Sequence, residues 1–348
     1  MVYLQNNFQP NIAISVIVAA RNEADNIAAC LTALAACEYP AHLLEIIVVD
    51  DGSVDETGAI VEIFATRFLG QIPVRLIRPT EGSGKKNAIT TGIRHATHPY
   101  IACTDADCEV PRLWLLLLAQ VFETRQPKLI TGPVAFHREK KLVEWFQSLD
   151  LLGLMGVTGA GIQSGTQHLA NGANIAYAKA IFEAVGGFEG NTHIASGDDL
   201  FLAQKIAKKW PGSIVFLKSP AATVRTLAMP DWRSFFHQRI RWGSKNAALP
   251  EWPVRLSLML VFLHSWAVVL SGIGILFQPA YWPLFLLLLA GKMLPDYFYL
   301  RKMSAFFDKR AAMKWFLPGV VLHILYIAGI GLGSLAFKKY RWKKRIVG

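Results

Sequence analysis

The chain has 348 residues, 53% of them hydrophobic, and a formal net charge of +11. That length holds one large core, or a core domain with a membrane segment, and the apolar share is above that of an ordinary soluble domain. The basic residues gather around apolar runs near the C-terminus and are not interleaved with aromatics over the polar region, which weighs against nucleic-acid binding.

Ile12–Ala19 reads as a buried strand. It is too short for a secretory leader, and Arg21, Asn22 and Glu23 follow it where a cleavage site would stand. Asn26–Ala36 reads as a helix, and Leu44–Val49 as a second strand ending in Asp50-Asp51-Gly52-Ser53. A helix over Glu56–Phe68, a strand over Val74–Ile77 and a helix over Lys86–His95 come next. Tyr100–Thr104 is a fourth strand, ending in Asp105-Ala106-Asp107, and Pro111 opens an apolar helix through Phe122. This alternation predicts an α/β fold of parallel strands with helices on both faces. Such sheets bind ligands at the carboxyl ends of their strands, where both acidic clusters fall.

The next stretch is less regular. Lys128–Val134 reads as a strand and Lys140–Leu154 as a helix, with a glycine-rich segment from Gly156 to Gly165 after it. Asn171-Gly172-Ala173-Asn174 leads into a short strand and a helix over Lys179–Val185. Gly197-Asp198-Asp199-Leu200 opens a helix through Lys208, and Asp231–Lys245 is a further helix carrying Gln238, Arg241 and Trp242.

Beyond Arg255 the pattern changes. Leu256–Phe277 and Trp315–Phe337 are each long and apolar enough to span a bilayer. Pro283–Leu300 lies between them and carries Lys292 and Asp296, four residues apart and able to pair on one helix face. It reads either as a third span or as an interfacial or buried helix. The loop Arg301–Lys314 carries Arg301, Lys302, Lys309, Arg310 and Lys314 and is expected on the cytoplasmic side, in contact with anionic lipid. Three crossings would then put the basic tail from Lys338 on the far side, against the charge rule. Cys30, Cys37, Cys103 and Cys108 lack zinc-site spacing and demand no oxidising compartment, so the polar region is expected in the cytoplasm.

Taken singly, each polar cluster has two readings. Asp105 and Asp107 can hold a divalent cation against phosphate oxygens, or be turn acids. Asp50 and Asp51 can accept hydrogen bonds from a base or ribose, or serve a polar turn. Gly82-Ser83-Gly84-Lys85-Lys86 lacks the full phosphate-loop pattern, yet can bring a lysine to a diphosphate. Asp198 and Asp199 can cap a helix or supply a general base.

Together these segments resemble the large inverting glycosyltransferase family, often called family 2, that includes cellulose, chitin and hyaluronan synthases and ceramide glucosyltransferase. The resemblance rests on seven motifs in order: Ala20-Arg21-Asn22-Glu23, Asp50-Asp51-Gly52-Ser53, Lys85-Lys86-Asn87-Ala88, Asp105-Ala106-Asp107, Asn171-Gly172-Ala173-Asn174, Gly197-Asp198-Asp199 and Gln238-Arg239-Ile240-Arg241-Trp242. It implies a GT-A fold, a Rossmann-like nucleotide-sugar domain, over residues 1–250. The donor half would cover about 1–135 and the acceptor half about 136–250, with a membrane domain over 251–348.

The resemblance also implies roles. Glu23, Asp50 and Asp51 would contact the nucleotide, Asp105 and Lys86 the diphosphate side of the donor, and Asp107 a Mg²⁺ or Mn²⁺ ion. Asp199 would be the general base. Gln238, Arg241 and Trp242 would close over the donor diphosphate and the acceptor end. The implied protein is a multi-pass cell-membrane enzyme with a cytoplasmic catalytic domain, a nucleotide-sugar donor and a lipid or glycan acceptor. A processive polysaccharide synthase is the rival reading, although such synthases usually carry more membrane helices, some before the catalytic domain. The base motif reads Gly-Asp-Asp where the familiar form leads with an acidic or Thr-Glu pair. A non-catalytic scaffold of the same fold would not need the acidic positions kept intact.

Overall fold

The computed structural model describes residues 1–68, 70–190, 197–243, 252–336, 340–342 and 345–347. Two compact units are present, one of residues 1–137 with 158–227 and one of residues 138–157 with 228–348. Residues 158–227 pack with residues 1–137 in the first unit.

The first unit is built on β1 (Ile14–Ala20), β2 (Leu44–Asp50), β3 (Val74–Ile77), β4 (Tyr100–Asp105), β5 (Cys108–Glu109), β6 (Leu129–Thr131) and β7 (Val134–His137). Later strands are β8 (Ile175–Ala178), β9 (Ile214–Phe216) and β10 (Val224–Leu227). The main sheet has seven strands in the order β3-β2-β1-β4-β8-β6-β9, and β5-β10-β7 form a small second sheet. β1 and β2 are sealed on both faces, so their β-branched runs carry no polar alternation. The helices of this unit are α1 (Ile27–Ala35), α2 (Thr57–Arg67), α3 (Lys85–His95), α4 (Trp114–Arg125), α6 (Lys179–Ala184) and α7 (Asp198–Lys209).

Four expectations are corrected. β1 to β4 pair parallel as expected, but the sheet as a whole is mixed, because β8 pairs antiparallel with both β4 and β6. β8 starts with Ile175 opposite Cys103 and ends with Ala178 opposite Tyr100, running back from the acidic end of β4. Residues 128–134 form two strands in different sheets, divided at Gly132-Pro133. The Gly132 N–H turns to the Asn174 carbonyl, and a Cβ on Gly132 would meet the Asn174 side chain at 2.3 Å. Pro111 does not open its helix; its carbonyl accepts from Trp114 N in a turn that precedes α4.

The fourth correction concerns the glycine-rich segment, which continues α5 (Leu142–Ser164). Glycine costs helix stability but permits close approach. A Cβ on Gly156 would lie 2.4 Å from Met303 Sδ and from the Tyr299 hydroxyl, and one on Gly159 would lie 3.0 Å from the Phe216 ring.

The second unit contains α8 (Trp232–Gly243), α9 (Trp252–Ile275), α10 (Trp282–Phe306) and α11 (Phe316–Ala336). The residues expected to extend α8 to Lys245 lie outside the described residues, as do Lys338, Lys339, Lys343 and Lys344 of the tail. Among the described residues, three segments are long and apolar enough to cross a membrane: Trp252–Ile275, Pro279–Phe306 and Arg310–Gly329. Val268, Phe316, Val320 and Ile324 form the packed centre of these helices. Lys292 and Asp296 pair at 2.5 Å along α10, which shields both charges in a candidate span.

Candidate active site

The site of the first unit lies where the carboxyl ends of β1, β2 and β4 meet the N-termini of α3 and α7. β2 ends in Asp50, with Asp51 next to it, both nearly buried. Asp50 Oδ1 accepts the Ser53 N–H at 2.8 Å, tying its turn, and Oδ2 lies 3.9 Å from Arg78 Nε. Asp51 accepts from Arg21 Nη1 at 3.1 Å and from the Gly84 N–H at 2.8 Å. The glycine-rich loop is thereby fastened to the end of β2. Glu23 stands after β1; its N–H donates to Thr57 Oγ1, and its side chain accepts from Asn26 Nδ2.

Of the two adjacent lysines, Lys85 reaches the acids. Its Nζ is 2.5 Å from Asp105 Oδ1 and 3.6 Å from Asp198 Oδ2. Burial disfavours the ammonium, but the charges of Asp105, Asp198 and Asp199 outweigh it and hold Lys85 well above the usual lysine range. Lys86 is buried, with Nζ 5.1 Å from the Phe201 ring centroid. The glycine-rich loop reads from sequence as bringing Lys85 or Lys86 to a diphosphate, with the family resemblance pointing to Lys86; the structure places Lys85 against the acids. Neighbouring helical residues point about 100° apart, so the register of α3 decides which one faces the site.

Asp199 Oδ2 accepts the Gly172 N–H at 2.8 Å, and Oδ1 accepts the Leu200 N–H at 2.7 Å. Gly172 leaves room at the meeting point: a Cβ there would stand 3.1 Å from Lys85 Nζ and 3.3 Å from Asp198 Oδ2. A small cavity lined by Ile89, Tyr177, Phe188, Asp198, Asp199 and Leu202 adjoins these carboxylates.

Asp105 and Asp107 flank the turn between β4 and β5, and with Cys108 their ligand atoms lie within 4.8 Å of one another. Burial, then the carboxylates of Asp105 and Glu23, push Asp107 up to about 6. Clustered hard oxygens whose repulsion raises a carboxyl pKa suit Mg²⁺ or Mn²⁺, so the residues fit a divalent cation. Burial, then the carboxylates of Asp107 and Asp105, hold the Cys108 thiol well above its ordinary range, so it stays protonated and donates to Asp107 Oδ1. All four cysteines are free and buried.

Gln238, Arg241 and Trp242 lie on α8, in the second unit. Gln238 Oε1 is buried and has no hydrogen-bond partner among the described residues.

A parallel-rich sheet with acids at its strand ends and a following set of apolar helices defines a GT-A-like nucleotide-sugar domain. The sequence profile of glycosyl transferase family 2 matches residues 15–186, so the chain carries a family 2 glycosyltransferase domain. The chain is 23% identical over 269 residues to the poly-beta-1,6-N-acetyl-D-glucosamine synthase of Staphylococcus epidermidis, covering 74% of this chain and 61% of that one. It is 29% identical over 194 residues to the 4,4'-diaponeurosporenoate glycosyltransferase of Staphylococcus aureus, covering 53% and 49%. The chain thus spans about half to three-fifths of the length of these curated relatives. Among solved structures, the mannosyltransferase of Pyrobaculum calidifontis, in complex with GDP-Man and Mn2+, shares the fold at a TM-score of 0.55 and 22% identity. That match covers 96% of this chain and 89% of the other.

Proposed function

We propose that this protein is an inverting, metal-dependent glycosyltransferase of the cell membrane. It moves a hexosyl group from a nucleotide-diphosphate sugar, with UDP as the first nucleotide to test, to a lipid-linked or membrane-embedded hydroxyl. The observation that carries this reading is the convergence of Asp51, Asp105, Lys85, Asp198 and Asp199 on one end of a family 2 domain.

In this reading Glu23, Asp50 and Asp51 hold the nucleoside, with Asp51 also fixing the loop that covers it. Asp105 and Lys86 stand on the diphosphate side, and Lys85 shares that side through its bond to Asp105. Asp107, beside Asp105, holds Mg²⁺ or Mn²⁺, which when bound offsets charge on the leaving diphosphate. Asp199 takes the proton of the acceptor hydroxyl as the sugar carbon is attacked from the face opposite the diphosphate. Its two backbone hydrogen bonds fix the carboxylate in one orientation. Gln238, Arg241 and Trp242 close over the donor diphosphate and acceptor end. The catalytic domain faces the cytoplasm, with α9 to α11 in the bilayer and basic residues against anionic lipid.

The test is a screen of UDP- and GDP-sugars for nucleoside diphosphate release, with membrane lipid extract as acceptor. Release that depends on the extract supports the reading; no release from any donor overturns it. A second reading, a processive polysaccharide synthase, is favoured by the similarity to the poly-beta-1,6-N-acetyl-D-glucosamine synthase. Product length from purified enzyme separates the two, since single transfer gives one added sugar.

A further inference from the structure

The helix that carries Gln238, Arg241 and Trp242 is fastened by a residue between them that the site reading does not use. Arg239 is only 4% exposed, and its Nη2 lies 2.6 Å from Asp150 Oδ2 on α5. Its guanidinium lies 5.1 Å from the Phe235 ring centroid and 4.4 Å from that of Trp242. Positions 235, 239 and 242 are four and three residues apart, so they share one face of α8. The other oxygen of Asp150 faces His323 Nε2 on α11 at 3.9 Å. Around the pair, Phe146 packs edge-on against Phe235 and Tyr326, and Phe235 also meets Tyr326. These residues all belong to the second unit.

We propose that Asp150 is a positioning residue for Trp242, acting through Arg239, and that the same pair ties the motif helix to the candidate membrane span α11. Arginine suits this task and lysine does not, because a planar guanidinium presents N–H donors to a carboxylate at its edge and its faces to aromatic rings. Asp150 fixes the edge, which fixes the plane, and the plane sets where the Trp242 indole rests. A buried ion pair of this kind is costly to desolvate and earns its place by specifying one arrangement. The consequence for catalysis rests on Trp242 acting as proposed above; the anchor itself does not.

The test combines a double-mutant cycle with a readout that needs no donor. Asp150→Asn and Trp242→Phe are made singly and together in the full-length, detergent-solubilised protein, and transfer is measured as kcat and donor KM. The expectation is that Asp150→Asn lowers kcat about tenfold or more while donor KM stays within about threefold, with partial rescue by Asp150→Glu. The double variant should lose little more than the worse single one, because both changes break one arrangement. Multiplying losses, or an Asp150→Asn enzyme within twofold of wild type, overturns the catalytic inference. Amide hydrogen exchange over residues 232–242 is read in parallel. Faster exchange there in Asp150→Asn, with β1 unchanged, supports the anchor even if no donor is ever turned over; unchanged exchange removes it. Should Asp150→Asn not fold, Arg239→Lys keeps the charge and loses the plane. It is expected to show the same exchange increase and kcat loss, and wild-type values in it would equally overturn the proposal.

Discussion

Lys85 Nζ bonds Asp105 Oδ1 at 2.5 Å, joining the first turn of α3 to the end of β4. Asp198 lies on the ammonium's other side at 3.6 Å, so one positive charge serves both acidic groups. Removing it leaves facing carboxylates without compensation. Lys85→Gln is therefore expected to slow transfer by about 10²-fold and to lower the melting temperature. Lys86→Gln, on the same proposed diphosphate side, is expected to slow transfer by a smaller factor. Steady-state kinetics and thermal unfolding of the two variants check this pair.

Asp107 gives a prediction in which stability and activity move in opposite directions. Its carboxyl is pushed up to about 6, above the ordinary value, so the folded form keeps its proton longer than the unfolded chain. The contribution to stability is present at lower pH and is lost as pH rises through about 6. In EDTA at about pH 7.5, Asp107→Asn should melt a few degrees above wild type, because it removes an unpaid negative charge. The same variant should lose metal-stimulated turnover. Full activity of the wild type in EDTA would remove the metal role.

Asp199 and Asp198 differ in what holds them, and the difference sets up a paired test. Asp199 is gripped by two backbone N–H groups; Asp198 faces Lys85. Asp199→Asn is expected to bind donor normally and to transfer at least about 10²-fold more slowly, the range of a lost general base. Asp198→Asn should keep much more activity. Reversed losses would move the base to Asp198.

Glu45 provides an acid-sensitivity prediction remote from catalysis. Burial raises its pKa, but hydrogen bonds from the Ser15 hydroxyl and from the Thr97 N–H and hydroxyl outweigh it, and the net shift is downward. A lowered carboxylate contributes stability above its unfolded pKa and loses it as pH falls through the folded value. Glu45→Gln is expected to cost about 1–3 kcal/mol at neutral pH. The gap to wild type should narrow as pH drops below the ordinary glutamate range, measured by thermal unfolding across a pH series.

Topology can be read with one introduced thiol, because all four native cysteines are buried. Ala311 is exposed in the loop between α10 and α11, among basic residues that favour the cytoplasmic side. In intact cells Ala311→Cys should resist a membrane-impermeant maleimide and should label once the membrane is opened. Labelling from outside would invert the orientation.

The strands β1 to β4 and the placement of the acids were legible in the sequence because parallel strands of this kind advertise themselves as short β-branched runs, whereas the short β5, β9 and β10 were not read. Val74–Ile77 was read to the residue. What was not legible depended on partners distant in the chain. The break at Gly132 is set by Asn174, and the helical state of Gly156 and Gly159 by Met303, Tyr299 and Phe216. The direction of β8 leaves no periodic trace, since an antiparallel strand buried on both faces has the same apolar run as a parallel one. α3 starts one residue earlier than the sequence pattern indicated, and the contact of Lys85 with Asp105 depends on that tertiary register. By contrast, the Lys292–Asp296 pair followed from spacing alone, because its geometry is local to one helix.

Asn174 has no exposed surface, and its side chain is fully committed. Its amide donates to the carbonyls of Pro133 and Ala222, and its oxygen accepts from the Trp114 indole. One residue thus links the entry of β8, the crossing from β6 to β7, the approach to β10 and the start of α4. The small sheet therefore has no hinge of its own: opening it strands three buried polar groups at once. Fluctuations that expose β7 or β10 must also loosen the main sheet at β8. The two sheets are expected to exchange their amide protons as one cooperative block, and the acid-bearing turn between β4 and β5 stays as rigid as the core that supports it.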